Sequence, residues 1–177
     1  MILKGKKVVL RPIKMSDAPR FVKWFNDPEV GKFVSTRVKD LKEEISYINN
    51  LKKDKAQHHF CIDTNGGIHI GSLALREVSK NNRSADLGII IGDKSHWSKG
   101  YGSDAMAIVI NFGFKKLKLH RIYLDVFSYN ERAIKMYTKL GFKHEGNFRE
   151  SYFWNGKFWD TYHMSILKRE WKGINKK

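Results

Sequence analysis

A single cysteine, only three prolines and a shortage of acidic side chains set the first limits on this 177-residue chain. One thiol cannot form an internal disulfide or a cysteine-rich zinc site. In the apolar run His59-Phe60-Cys61-Ile62 it reads as an inert core group. Few prolines and no biased tracts exclude fibrous and low-complexity classes. No apolar run approaches the ~18 residues of a membrane span. The opening Met1-Ile-Leu-Lys-Gly-Lys-Lys has no apolar h-region, so no secretory signal is expected and a reducing, cytoplasmic setting follows. The seven histidines show no H-x-x-x-H or H-x-x-x-Cys spacing. His58-His59 and His69 could meet across a hairpin, but sheet-surface histidines are common, and no metal is expected. The absence of a G-x-S-x-G elbow leaves hydrolase chemistry unsupported.

Asp and Glu number 18 against 34 Lys and Arg, a formal charge of +16. That balance favours anionic partners, whether nucleic acid, an acidic surface or a phosphate-rich small molecule. The basic residues are spread along the chain, which is equally the mark of a surface kept in solution; only Lys4, Lys6, Lys7 and Lys172, Lys176, Lys177 cluster. No RNA-recognition aromatic signature, zinc finger or helix-turn-helix accompanies the charge. Hydrophobic residues at 41% and aromatics at 13% suffice for a packed core, and the length suits one domain.

The pattern along the chain begins with a strand over Val8–Ile13. Ser16-Asp17 then caps a helix carrying Phe21, Val22, Trp24 and Phe25, which Asn26-Asp27-Pro28 stops. A second helix is expected over roughly residues 38–54, with Leu41, Ile45, Ile48 and Leu51 on one face. Strands follow at His59–Ile62, Ile68–Val78 and Ala85–Ile91, punctuated by Asn65-Gly66-Gly67 and Lys80-Asn81-Asn82-Arg83. A helix with Ala105, Ile108, Val109 and Phe112 inward comes next, then a strand at Ile122–Val126. Asn130 opens a helix that presents Ala133, Ile134, Met136, Tyr137 and Leu140 inward and ends at Gly141. Two aromatic strands close the chain around Asn155-Gly156, a strong hairpin signal. The expectation is one α/β domain over residues 1–177: a mixed, mostly antiparallel twisted sheet of about six to seven strands flanked by about four helices.

Two segments carry chemistry. Trp97-Ser98-Lys99-Gly100-Tyr101-Gly102 lies between an apolar strand and a helix. Its glycines let backbone N–H groups converge, while the helix N-terminus and Lys99 supply positive charge, a way to hold a pyrophosphate. Alone the spacing is equally a plain turn, and it is neither G-x-G-x-x-G nor a P-loop. The second segment runs from Asn130 to Phe142. Asn130 reads either as a cap or as a ligand contact. Tyr137, nearly two turns on, reads as a core aromatic or as a group facing the same cleft.

Together these segments resemble the GNAT N-acetyltransferases. Lys99-Gly100-Tyr101-Gly102 is in register with the family's Q/R-x-x-G-x-G/A loop, and Asn130 to Phe142 matches N-x-x-A-x-x-x-Y-x-x-x-G-F at every fixed position. The opening L-R-P, Ala85-Asp86-Leu87-Gly88, Leu119-His120-Arg121-Ile122, Glu145-Gly146-x-x-Arg149-Glu150 and Asn155-Gly156-Lys157-x-x-Asp160 resemble, more narrowly, the ribosomal-protein N-terminal acetyltransferase branch and its small-amine relatives. Two positions depart: Trp97 stands at the Q/R position, and Asp86 where a Glu is frequent.

The resemblance implies direct attack of an amine on acetyl-CoA in a ternary complex, without a metal. The acetyl-CoA core is expected over about residues 84–142 and acceptor elements over about 15–54 and 145–165. Ile89, Ile90 and Ile91 are the implied oxyanion strand. Trp97, Lys99, Gly100, Tyr101, Gly102, Asn130 and Ala133 are implied to hold the cofactor. Tyr137 is the implied proton donor to the leaving thiolate, and Asp86 the implied base, with Asp125 and Glu77 as rivals and a plain ion pair as the other role for Asp86. A protein N-terminus is the expected acceptor; a polyamine, aminoglycoside or amino sugar, or a non-catalytic RNA- or ribosome-binding role, are alternatives. No membrane partner is expected, and the chain is expected to be a monomer or homodimer.

Overall fold

The computed structural model describes residues 1–34, 40–51, 53, 54 and 56–174. Its elements are β1 (Leu3–Lys4), β2 (Val8–Pro12), α1 (Ala18–Phe25), α2 (Pro28–Gly31), α3 (Leu41–Leu51), β3 (His58–Thr64), β4 (His69–Ser79), β5 (Ser84–Ile91), α4 (Tyr101–Lys115), β6 (Arg121–Phe127), α5 (Glu131–Leu140), β7 (Lys143–Trp154) and β8 (Lys157–Leu167). The strands form one eight-stranded sheet in the order β1-β2-β3-β4-β5-β6-β8-β7. Every neighbour is antiparallel except β5 and β6. The expected mixed sheet with flanking helices is therefore present, with an extra short edge strand and the helical turn α2. Asp27 caps α2 by accepting from the Glu29 and Val30 amides.

Alternation along β3 decides the layers. Phe60 and Ile62 point to one face, where Leu10, Leu75, Ile108, Val109, Phe112, Ile122 and Ile166 bury a core between the sheet and α4 and α5. Cys61 points to the other face, into a smaller cluster of Ala18, Phe21, Trp24, Val30 and Ile48 from α1, α2 and α3. The backbone comes so close here that a Cβ on Gly92 would sit 2.0 Å from Trp24 Cδ2. Asp17, in the turn before α1, fixes that second layer to the sheet. Arg11 on β2 grips both of its carboxylate oxygens at 2.8 Å and also bonds Asp63 at 2.7 Å. Cys61 Sγ donates to Asp17 at 3.2 Å. Ligand-type atoms of Asp17, Cys61 and His69 lie within 4.8 Å of one another, and the Arg11 guanidinium already supplies the positive charge at that cluster.

Two sequence expectations change. His69 lies opposite Asp63, at the other end of β3 from His58 and His59, because the antiparallel register runs away from the turn. On α3, Leu41 is 44% and Ile45 37% exposed, whereas Glu44 and Ile48 are 2% and 1% exposed. The helix rests on α1 and the turn before it rather than on the sheet, so its buried strip is narrow and runs through Glu44 and Ile48. The expected helix ends at residues 38, 39 and 52 lie outside the described residues.

Candidate active site

β5 and β6 pair through Ser84–Arg121, Ala85–Ile122 and Asp86–Tyr123, and then part. β5 runs on to Ile91 still bonded to β4, and β6 runs on to Phe127 bonded to β8. The gap between them opens a cavity of about 1090 Å³. Asp86 marks the closed end of the splay. The strand then runs about 16 Å through Leu87, Gly88, Ile89, Ile90 and Ile91 to the glycine loop. One edge of that stretch has lost its strand partner, so backbone polar groups there face the cavity rather than a ladder.

The loop end is built by local chemistry. Gly100 sits at φ 84°, in the left-handed region that glycine enters without cost, and begins α4. Asp104, in the first turn of α4, accepts from the Lys7 and Val8 amides at 2.7 and 3.1 Å. That clamp brings the Lys7 ammonium onto the Lys99 carbonyl at 2.8 Å, 3.6 Å from the point a Gly100 Cβ would occupy. Ser98, Gly100, Tyr101, Gly102 and Ser103 line the cavity, as do Ile89, Ile90, Ile91, Asn130 and Ala133. The Lys99 side chain is exposed and lies off the lining. Asn130 Oδ1 accepts from the Ala133 amide at 3.3 Å, so it caps α5 while it faces the cavity.

Trp97 closes one side. Its indole N–H donates to the Ile91 carbonyl at 2.6 Å, and the Arg132 guanidinium lies over its ring at 4.0 Å. Arg132 also lies 5.5 Å from the Phe33 ring centre. Phe33 stacks on Tyr129, whose hydroxyl donates to the Lys32 carbonyl. A chain of rings thus bridges the mouth of the splay. The Arg132 cation has no carboxylate partner among the described residues, and burial pushes it below its ordinary value.

The closed end is acidic. Glu43, Glu44, Glu77, Asp86 and Asp125 all line the cavity, and Glu77 and Asp125 lie close enough to Asp86 to raise its carboxyl. Arg76 answers one of them, its Nε donating to Asp86 at 2.7 Å. Burial raises the Asp86 carboxyl, Arg76 opposes that rise, and Glu77 and Asp125 add to it. Glu77 accepts from the Tyr123 hydroxyl at 3.0 Å, and Asp125 meets His163 Nδ1 at 2.7 Å. Glu77 holds φ 51°, a strained conformation for a residue with a Cβ. His59, beside Tyr47, is pushed down to about 4 by burial and by Arg76, so it is neutral.

Tyr137 reaches the cavity from α5 and is 7% exposed. Burial, then Asp86, pushes its hydroxyl well above the ordinary tyrosine value. It therefore keeps its proton at neutral pH, the state a proton donor requires.

The structure thus gathers Asp86, Ile89, Ile90, Ile91, Trp97, Gly100, Tyr101, Gly102, Asn130, Ala133 and Tyr137 around one cavity, together with the rivals Asp125 and Glu77. Sequence reading missed Lys7, Arg132 and Glu44. Lys7 was visible only as part of the N-terminal basic cluster; it lies off the cavity lining, and Asp104 brings its ammonium to the Lys99 carbonyl, 92 residues away in sequence. Arg132 sits at an unspecified position of the second motif. Glu44 did have one: Leu41, Glu44, Ile48 and Leu51 follow helical spacing as well as the apolar set does.

The uncharacterized N-acetyltransferase p20 of Bacillus licheniformis is 31% identical over 173 residues, covering 95% of this chain and 97% of that protein. The spermidine N(1)-acetyltransferase of Vibrio cholerae is 31% identical over 148 residues, covering 84% and 80%. The crystal structure of spermidine N-acetyltransferase from Vibrio cholerae in complex with CoA and spermine superposes with a TM-score of 0.86 at 27% identity, covering 92% and 96%. Residues 7–143 match the model of the acetyltransferase (GNAT) domain. That match spans most of the chain and makes this protein a member of the GNAT family, an N-acetyltransferase that takes its acetyl group from acetyl-CoA.

Proposed function

We propose that the acceptor is a small cationic amine of the polyamine class. The observation that carries this reading is the carboxylate-lined end of the cavity, in a protein of net charge +16. A positive molecule repels a polycation at long range, and a concentrated acidic wall reverses that locally, where screening is weak. A protein N-terminus, the acceptor expected from the sequence, brings one ammonium and fits such a wall less well. The relatives named for spermidine support the same reading.

In this proposal the chain's own groups divide the work. Backbone donors of the 98–103 loop, Lys7 and Arg132 neutralise the phosphates of the acetyl donor. Trp97, unable to bond a phosphate as Gln or Arg would, serves as the platform on which Arg132 stands. The open edge of Ile89–Ile91 offers donors where charge develops on the acyl oxygen. Asp86, held by Arg76 and raised by burial, takes the proton from the ammonium. Tyr137 gives its proton to the departing thiolate.

The test is turnover of acetyl-CoA with a panel of polyamines, aminoglycosides, amino sugars and N-terminal peptides, repeated with Tyr137→Phe. A polyamine should give the highest kcat/KM. Tyr137→Phe should lower kcat on the order of 10²-fold with acetyl-CoA binding retained. Preferential turnover of a peptide would overturn the acceptor. A variant with full kcat would return Tyr137 to a packing role.

A further inference from the structure

We infer that Glu44 anchors a second ammonium of the acceptor, so that the enzyme selects diamines and longer polyamines over monoamines of the same length. The inference rests on the amine reading of the same cavity. Glu44 is 2% exposed, and its Oε2, shielded from water, has no hydrogen-bond partner among the described residues. It lies in the cavity wall on α3, with Tyr47 one turn on and Arg76, Glu77 and Asp86 in the facing strands. A buried carboxyl left without a partner is costly, and native structures rarely keep one without a reason. Among the described residues its surroundings supply no answering cation. Arg76 is engaged by Asp86, and Arg20 on α1 donates to the His69 carbonyl. A cation arriving through the cavity would supply the missing charge and donor together once the Glu44 side chain turns its carboxylate towards the lumen, and on the proposed reading the amine end of the acceptor is that cation. Tyr47 on α3 feels both Glu44 and Arg76, Arg76 bonds Asp86, and Tyr137 feels Asp86, so an amine reacting at Asp86 would extend its far end towards α3.

The carboxyl is also poised to respond. Burial pushes Glu44 up to about 7, so near neutrality it is divided between the acid and the carboxylate. Among the described residues, Glu43, Tyr47, His59, Arg76, Glu77 and Asp86 share its cavity wall, and the elements packed against α3 carry Asp17, Arg20 and Lys23. His59 is neutral from mildly acid pH upward, and Asp17 is held ionised by Arg11. An ammonium at Glu44 favours the carboxylate, so its binding releases a proton below pH ~7 and strengthens as pH rises.

The experiment compares α,ω-diamines with n-alkylamines of matched length, by steady-state kinetics and by calorimetry in buffers of different ionisation enthalpy. Glu44→Gln keeps the shape and removes the charge. The native enzyme should favour the diamine at least ~10-fold in kcat/KM, with the ratio growing from pH 6 to 8, and diamine binding should release protons. In Glu44→Gln the ratio should fall towards one and lose its pH dependence. An enzyme that acetylates amines without preferring diamines, or whose preference survives Glu44→Gln, overturns the anchor alone. A protein that binds no amine by calorimetry overturns both the anchor and the acceptor reading beneath it.

Discussion

At the residue scale, the same carboxyl that would receive a cation must weaken the empty protein. Glu44 titrates at 4.5 when free of the fold and at about 7 within it. Between those values the folded state holds the extra proton, so the penalty from Glu44 is absent below pH ~4.5, grows as pH rises through the window, and stays in full above it. The loss amounts to roughly 2–4 kcal/mol. Glu44→Gln should therefore melt roughly 5–10 °C above the native protein at pH 8 and close to it at pH 5, as differential scanning calorimetry would record. Equal melting temperatures at pH 8 would mean that the carboxylate is solvated or paired. Glu145 shows the opposite sign. Arg121 holds its carboxyl down at about 2, so its contribution is fully present above pH ~4.5 and is lost progressively as pH falls to about 2.

At the element scale, the loop before α4 gives a direct test of cofactor loading. Gly100→Asp would force a Cβ into φ 84° and set a carboxylate beside the Lys7 ammonium, 3.6 Å from that new Cβ. On the proposed reading the new pair would occupy the Lys7 ammonium and add a negative charge beside the phosphates. Acetyl-CoA affinity should fall tenfold or more, about 1.4 kcal/mol by calorimetry; unchanged affinity would remove the loop from the phosphate site. Elements of this kind were legible because their signals are local. The alternating strands, the Asn155-Gly156 turn, with φ 51° and 75°, and Asn130 as the α5 cap need only their neighbours in sequence. The α3 face was not legible, because Leu41, Glu44 and Ile45 satisfy overlapping helical stripes. Which stripe turns inward depends on α1, a partner that α3's own sequence does not specify. Lys7 and Arg132 were hidden for a related reason: Asp104 and Trp97 place them across long separations.

At the scale of the whole molecule, charge is segregated. The surface carries the excess that makes +16, while one cavity end concentrates carboxylates. The two substrates should therefore answer salt differently. Attraction between the basic exterior and the anionic donor is screened beyond about 10 Å at 0.1 M salt, so the KM for acetyl-CoA should rise as salt is added. The cationic acceptor loses a long-range repulsion while its short contacts inside the cavity persist, so its KM should hold or fall over the same range. Parallel increases for both substrates in initial-rate titrations would show that the interior carboxylates do not govern the acceptor.

The three residue pairs that join β5 to β6 are a seam as well as a doorway. Beyond Asp86 and Tyr123 the eight strands divide into two slabs, β1 to β5 and β6 to β8, with no ladder rungs between them. Across the open length they are held by the packing of α4 and α5 and by the rings of Phe33, Trp97 and Tyr129. The sheet is thus joined by only three residue pairs beside the candidate site. A substrate lying in the gap would act as mortar, touching both slabs where the ladder does not join them.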